Sequence, residues 1–552
     1  MSLNSSKTQS QRATVLVVTA LLGASVVVYL GYHLAIAFQP DDTNHLETPL
    51  AMAVARQIEE GPGVLYGPFN GQRPLVLIHS PLYYRLAALG AWPLAVVGFD
   101  PIMTAFAVGR VLAFLGLIAT MAAAAWFARL DGAPLRAGLW SALLIAACPV
   151  IGSFPATVRP DTLGLALQTI GVTLVWRTLF RRVRETHQYS PEEEKIGAFH
   201  ALYGATNTSS PALVLAYIAF GLAFCVKQHD VVAACVSSLF LFVAVMQRRC
   251  RVRTVIVAHA AALAIVIAYY GAEQLITGGR MAQSVFVLPA AFGRINHASW
   301  GHVLKVFVEV GKMAAGMILL AIACVWVSPK KALGSRLDAV VAVYLGAELA
   351  AMVALCLNST GAWTNYAMQA VVFASILIGR ALERVLAARP VLWRLAPVGL
   401  AAVAFLLVDV RLVKISAQNR IEDHDSLEAM FADPRVGAHA PEEIYFVGAP
   451  QNNRRFGRID LAHDEWLYSS YEALAAAEPR SAWLRPALTE GTVRQVIVIG
   501  GTTHLRGLKD PLPRLGYRPI AQFGRYVVWE RRESQRPAIA TAASRASKRD
   551  ER

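Results

Sequence analysis

Charge is scarce in this sequence: 16% of its 552 residues are Asp, Glu, Lys or Arg, against roughly 25% in a soluble protein. That scarcity excludes an ordinary soluble globular chain. Cysteine is scarce too. The six (Cys148, Cys225, Cys235, Cys250, Cys324 and Cys356) fall within or beside apolar runs and form no C-x-x-C pair. They read as small buried hydrophobes, which argues against a disulfide framework or a zinc site. Basic residues are not interleaved with aromatics as a nucleic-acid groove requires. The net charge of +15 is therefore assigned to basic cytoplasmic loops, and no nucleic-acid partner is expected. No internal repeat is visible.

What the chain has instead is apolar length. It is 55% hydrophobic with a mean hydropathy of +0.44. Apolar runs of about 20 residues recur between residues 13 and 413, each able to cross a hydrocarbon core of about 30 Å. The expected class is an all-α polytopic membrane protein. Residues 1–12 form a polar cytoplasmic arm. The run 13–38 ends in Ala35-Ile36-Ala37, which resembles a signal-cleavage site. Its apolar core of about 25 residues exceeds the roughly 7–15 of a signal peptide, so an uncleaved first helix is expected.

Residues 39–103 form the first extracytoplasmic loop. Leu46, Leu50, Ala53, Val54, Gln57 and Ile58 repeat at helical spacing up to Gly61, predicting an amphipathic juxtamembrane helix on the membrane surface. Residues 81–99 are barely long enough to cross. If they crossed, every later basic loop would move outside, against the positive-inside rule; they are therefore laid along the membrane. Further spans follow at 104–128, 137–155, 162–179, 211–226, 231–246, 254–276, 305–327, 337–358, 366–382 and 395–413, about eleven transmembrane helices in all with 13–38. After residue 413 the composition changes. Residues 443–447 and 495–499 read as buried strands and 518–530 as a hairpin. This predicts a small C-terminal α/β extracytoplasmic domain over 414–532, and 533–552 reads as a disordered polar tail.

On that topology one face collects most of the chemistry. It holds Gln39-Pro40-Asp41-Asp42, then Arg73, His79, Tyr83 and Tyr84. Arg159-Pro160-Asp161 stands at the start of a span, Lys227-Gln228-His229-Asp230 in a tight turn, and Asn365-Tyr366 in another. Carboxylates and cations together at a lipid–water boundary suit group transfer from a lipid phosphate. Phosphate departs readily because its second pKa is near 6. It needs cations to stabilise the developing charge, for which Lys227 and Arg159 are the candidates. The attacking hydroxyl needs a base worth about 10²–10⁴-fold in rate. Asp41 is the choice for it. Asp42, Arg73, His79, Tyr84, Gln228, His229, Asn365 and Tyr366 are candidate substrate contacts. A divalent metal at Asp41, Asp42 and Glu47 is the one cofactor the pattern leaves open.

These motifs resemble the GT-C superfamily of polyprenyl-phosphate-sugar-dependent glycosyltransferases, in particular the protein-mannosyltransferase-like (family 39) and aminoarabinose-transferase-like branch. The resemblance runs over residues 13–413. It rests on Asp41-Asp42 after the first span, Pro81–Tyr84, Asp161, Lys227-Gln228 and Asn365-Tyr366. It implies a polyprenyl-phosphate-sugar donor and a lipid, glycan or protein acceptor, at a bacterial inner membrane. Asp41 would be the acceptor-activating base and Asp161 a second active-site acid. The chain departs from the pattern with Asp-Asp where Asp-Glu is common and with His229 after Lys-Gln, which leaves acceptor and metal use open.

Blander assignments stand beside these. Asp41, Asp42 and Asp161 can cap helices, Glu47 can pair with Asn44 in a capping box, and Lys227 can simply snorkel. Tyr83 and Tyr84 suit interfacial anchoring, and Glu348 would pair with Lys312. Competing functions are a transporter or flippase, which would carry ionisable groups near the midplane and paired halves, and a glycan polymerase or ligase using a lipid-diphosphate donor.

Overall fold

A computed structural model describes residues 2–37, 47–66, 79–187, 211–287, 289–290, 299–329, 334–358, 364–388, 392–436, 439, 443–447, 493–499 and 512–532. The chain divides into two compact units, one formed by residues 1–43, 79–281 and 296–414, the other by 44–78, 282–295 and 415–552. The Asp41-Asp42 pair and Arg73 lie outside the described residues.

The first unit is helical. Its elements are α1 (Ser2–Ala37), α3 (Leu82–Val96), α4 (Pro101–Phe127), α5 (Leu135–Ala147), α6 (Pro149–Gly152), α7 (Asp161–His187), α8 (Pro211–Val226), α9 (Val232–Met246) and α10 (Val252–Ile276). After these come α11 (Trp300–Met313), α12 (Ala315–Val327), α13 (Arg336–Asn358), α14 (Met368–Ala387) and α15 (Leu392–Ala432), the last continuing beyond residue 414. The second unit opens with α2 (Glu47–Glu60).

Among the described residues, four helices are long and apolar enough to cross a membrane: 13–37 of α1, α4, α10 and α13. Large apolar side chains such as Leu275, Ile118 and Val27 are exposed on such helices, which is tolerable in lipid and costly in water. This is an integral membrane protein. The helices α5, α8 and α9 are apolar but shorter, with 13, 16 and 15 residues. At 1.5 Å per residue they reach about 20–24 Å, short of a full hydrocarbon core.

One expected span is not straight. Residues 305–327 contain a bend of 73° between α11 and α12. The physical reason lies in α11: Lys305, Glu309 and Lys312 give it a charged face, with Lys312 paired to Glu309 at 2.8 Å in an exposed position, while α12 is uninterruptedly apolar. The same ion pair overturns the expected link between Lys312 and Glu348. Nor are all cysteines buried, since Cys235 is exposed on α9.

Local sequence explains the ends of the elements. Asp100 caps α4 by accepting from Met103 N at 2.8 Å, with Pro101 in the first turn. Close packing of α4 on α7 needs a bare backbone: a Cβ at Gly116 would lie 2.7 Å from Leu163 N. Small residues let helices approach this closely where lipid removes the hydrophobic drive for association. Tyr83 fastens α3 to α4 by donating to Gly109 O at 2.7 Å.

In the second unit, α2 ends before Gly61 as its periodicity predicts, but it is not a helix with one apolar face. Leu50 through Ala55 are all buried, so the expected surface-lying amphipathic helix is corrected to a largely enclosed one. The four-stranded sheet has the order β1 (Ile444–Val447), β2 (Gln495–Ile499), β4 (Tyr526–Arg531), β3 (Tyr517–Phe523). The β1–β2 pairing is parallel and the other two are antiparallel. All four strands fall where alternation and β-branched residues place them. Leu427, Met430, Val436, Ile444, Ile497, Tyr526 and Val528 form their core.

Candidate active site

The site is built at the start of α7. Arg159 and Pro160 lead into α7, and Asp161 begins the helix, where the positive end of the helix dipole favours a carboxylate. Asp161 is 3% exposed. Its Oδ2 accepts from Arg159 Nε at 2.9 Å. Its Oδ1 accepts from Lys227 Nζ at 2.6 Å and from Asn365 Nδ2 at 3.1 Å. Arg159 and Lys227 are themselves buried. One carboxylate therefore stands against two cations, and the three groups together carry a surplus positive charge. Buried charge of this kind is tolerated only when it is paired or met by a ligand.

Aromatic rings surround the cations. Lys227 Nζ lies 5.0 Å from the ring centre of Tyr366, and the Arg159 guanidinium 5.1 Å from that of Phe154. The His229 ring meets Tyr366 at 5.6 Å. The turn between α8 and α9 closes through Asp230 N to Lys227 O at 2.9 Å. It thereby places Lys227, His229 and Asp230 on one cavity. That cavity measures about 40 Å³ and is lined also by Asp161, Gln168, Glu348 and Gln369. A single water needs about 10–15 Å³, so there is room for several small groups.

Titration follows from burial. Burial, then the Arg159 guanidinium, pushes the His79 imidazole down to about 3. Burial with Lys227 beside it brings His229 down to about 4. Both rings are neutral at physiological pH, so neither adds to the positive charge of the cluster. Burial pushes the Asp230 carboxyl up to about 7, with Lys227 opposing, so Asp230 changes charge near neutrality.

No protein-family model matches this sequence, and no curated protein matches it. Solved structures do. The crystal structure of ArnT from Cupriavidus metallidurans bound to undecaprenyl phosphate superposes with a TM-score of 0.52 at 13% identity, covering 92% of this chain and 98% of that one. The apo state of the same protein gives 0.53 at 13% identity with the same coverage. The chain has the GT-C fold.

Within this GT-C fold, Arg159, Asp161, Lys227, Asn365, Tyr366 and His229 come together in one cluster. His79 and Tyr84 are close enough for Arg159 and Asp161 to act on them electrostatically. Tyr84 OH is buried and has no hydrogen-bond partner among the described residues. Gln228 joins through its neighbour: its Oε1 accepts from Ser80 Oγ at 3.2 Å, and Ser80 shares a 2.6 Å hydrogen bond with Tyr270 OH. Glu47 is buried at the first turn of α2. Asp41, Asp42 and Arg73 fall outside the described residues. Among the described residues no group of three or more His, Cys, Asp or Glu is placed to hold a metal ion.

Sequence reasoning passed over Asp230, Gln168 and Gln369, and treated Glu348 as half of an ion pair. Signals were present. Asp161, Leu165 and Gln168 lie on one helical stripe of α7, Gln369 follows Tyr366 by three, and a carboxylate in the middle of a span is a functional hypothesis by default.

Proposed function

We propose that this protein is a membrane glycosyltransferase of the GT-C type. It would move a sugar from a polyprenyl-phosphate donor to an acceptor on the extracytoplasmic face. The observation that carries the reading is the buried Arg159–Asp161–Lys227 cluster, whose surplus positive charge opens on a cavity. Such a cluster suits the charge that develops on a departing lipid phosphate. ArnT, a protein of the same fold, has been crystallised with undecaprenyl phosphate, which supports a lipid phosphate as the partner.

The roles divide by geometry. With both oxygens occupied by cations and an amide, Asp161 is poorly suited to accept a proton. It orients Lys227 and Arg159 toward the phosphate. For Asp41 the support is the sequence resemblance alone: it is the base that deprotonates the acceptor hydroxyl, with Asp42 next in the chain. Tyr366, His229 and Asn365 line the path between phosphate and sugar.

The test uses the full chain in nanodiscs with a panel of polyprenyl-phosphate hexoses, following release of free polyprenyl phosphate. Turnover is expected, and Asp41→Asn should reduce it by about 10²–10⁴-fold with the melting temperature retained. Unchanged turnover in that variant removes Asp41 from the reaction. Transport of the intact lipid across vesicles without release would instead favour a flippase.

A further inference from the structure

The cavity behind Asp161 has an imbalance of hydrogen-bonding groups that the reading above does not use. Among the described residues, four side-chain oxygens around it have no hydrogen-bond partner: Gln168 Oε1, Asp230 Oδ2, Glu348 Oε1 and Gln369 Oε1. One amide nitrogen, Gln369 Nε2, is likewise unpartnered. Gln168, Glu348 and Gln369 are 4%, 7% and 5% exposed, so bulk solvent does not serve them. Three helices and a turn supply these groups: Gln168 from α7, Asp230 from the α8–α9 turn, Glu348 from α13 and Gln369 from α14.

Neighbouring residues hold the arrangement in place. Gln168 stands close enough to Asp230 to favour its charged form. A Cβ at Gly164 would clash with Asp230 Oδ2, so the absent side chain is what lets that carboxylate lie against α7. Glycine in mid-helix otherwise lowers helix stability, and here it has a stated use.

Buried polar atoms without partners are rare and call for an explanation. Their chemistry selects the ligand. The four unpartnered oxygens offer an anionic oxygen no donor, so away from the Lys227 ammonium a phosphate or carboxylate would go unmatched. A metal ion would meet two carboxylates and two amides, with the Lys227 ammonium lining the same cavity. Neutral hydroxyls fit best, because each can donate to an amide or carboxylate oxygen and accept from Gln369 Nε2. The cationic cluster and the Tyr366 ring adjoin the same space. A molecule that is anionic at one end and polyhydroxylated at the other matches both ends of the site.

We propose that this inner cavity binds the ring hydroxyls of an uncharged sugar and rejects sugars bearing a carboxylate, with Gln168, Asp230, Glu348 and Gln369 as the specificity-determining residues. The proposal rests on the glycosyl-transfer reading only for the placement of the phosphate at Lys227 and Arg159. Sites built to pair with hydroxyls discriminate strongly against ligands that leave those partners unmet.

The test measures binding by the full-length protein in nanodiscs. The probes are undecaprenyl phosphate alone, undecaprenyl-phosphate glucose, mannose and galactose, and the corresponding undecaprenyl-phosphate glucuronate. At least one neutral hexose should bind roughly tenfold or more tightly than the bare lipid, while the glucuronate gains nothing. Gln369→Leu and Glu348→Gln should each cut that gain about tenfold. Gln369→Leu is chosen because it replaces both unpartnered atoms with an apolar group of similar shape, which folding tolerates. A glucuronate bound as well as the hexoses overturns the proposal. So does a hexose gain that survives both substitutions, or no gain for any hexose, which would make the cavity a water pocket. Failure of bare undecaprenyl phosphate to bind counts against the transferase reading instead. The sugar subsite is then judged by methyl glucoside, methyl mannoside and methyl galactoside, one of which must raise the melting temperature of the parent protein more than that of Gln369→Leu. No such difference rejects it.

Discussion

Two buried ion clusters in the helical unit use the same chemistry to opposite ends. Around Arg380 on α14, every guanidinium N–H has an acceptor. Nε donates to Asp338 Oδ1 at 2.7 Å, Nη1 to Asp131 Oδ1 at 2.9 Å and to Ala128 O, and Nη2 to Asp131 Oδ2 and to Ser335 Oγ at 2.8 Å. Asp338 also accepts from Arg384 Nη1 at 2.6 Å and from Gly334 N and Ser335 N. Two carboxylates balance two guanidiniums. Around Asp161 one carboxylate faces two cations, and the adjoining cavity is rimmed by polar atoms without partners. A neutral cluster with its central guanidinium fully paired is a clasp between helices. An unsaturated, charged one is prepared for something that arrives.

The sharpest way to break this comparison is to remove one cation from each cluster. Lys227→Met should lower release of polyprenyl phosphate by about 10²–10³-fold, the usual consequence of losing a preorganised charge at a transition state. Its melting temperature should stay close to that of the parent protein. Arg380→Met should do the reverse, costing about 3–5 kcal/mol by removing the cation that pairs Asp131 and one of the two that pair Asp338, read as denaturant or thermal unfolding in detergent. If Arg380→Met stays stable but loses turnover, the division into clasp and site is wrong.

A smaller effect sharpens the contrast within the site. Gly164→Ala should force Asp230 away from α7, costing about 1–3 kcal/mol as overpacking does and weakening neutral-hexose binding. The same change at Gly23 on α1, where a Cβ meets nothing within 4 Å, should be silent. Equal melting temperatures for the two variants would show that Asp230 has room to move.

The mildest prediction concerns pH. His79 is held neutral in the folded state, its pKa lowered from 6.5 to about 3. The stability this group contributes is complete above about pH 6.5 and is lost as pH falls toward about 3, because the unfolded chain takes up the proton first. Asp230, shifted upward, acts in the opposite sense between about pH 7 and 4, so the bulk profile is a partial cancellation. His79→Gln should therefore hold its melting temperature better than the parent between pH 6.5 and 4. Parallel curves for the two proteins would remove His79 from this account.

Much of this was legible from composition and pattern, and what was not has identifiable causes. The strands at 444–447 and 495–499 and the hairpin after residue 517 were readable because β-branched runs of that length have few other solutions. Arg159-Pro160-Asp161 and the Lys227–Asp230 turn were readable as polar interruptions at the ends of apolar runs. The bend between α11 and α12 was missed because an average over residues 305–327 hides a charged first half. Glu348 was given the wrong partner because sequence spacing says nothing about which helix faces which. Arg380, Asp131 and Asp338 drew no notice, since each looks like an ordinary loop or helix-end charge on its own.

By itself the sequence determined that the chain lives in a membrane, where its apolar runs lie and which short stretches carry charge, since all of these depend on neighbours within a turn or a span. Only the tertiary structure decided which charges meet. Lys227 reaches Asp161 across 66 positions, Asn365 reaches it across 204, and Arg380 reaches Asp131 across 249. The reason is physical: an ion pair is set by distance and by the burial around it, and both arise from the packing of helices that local sequence does not encode.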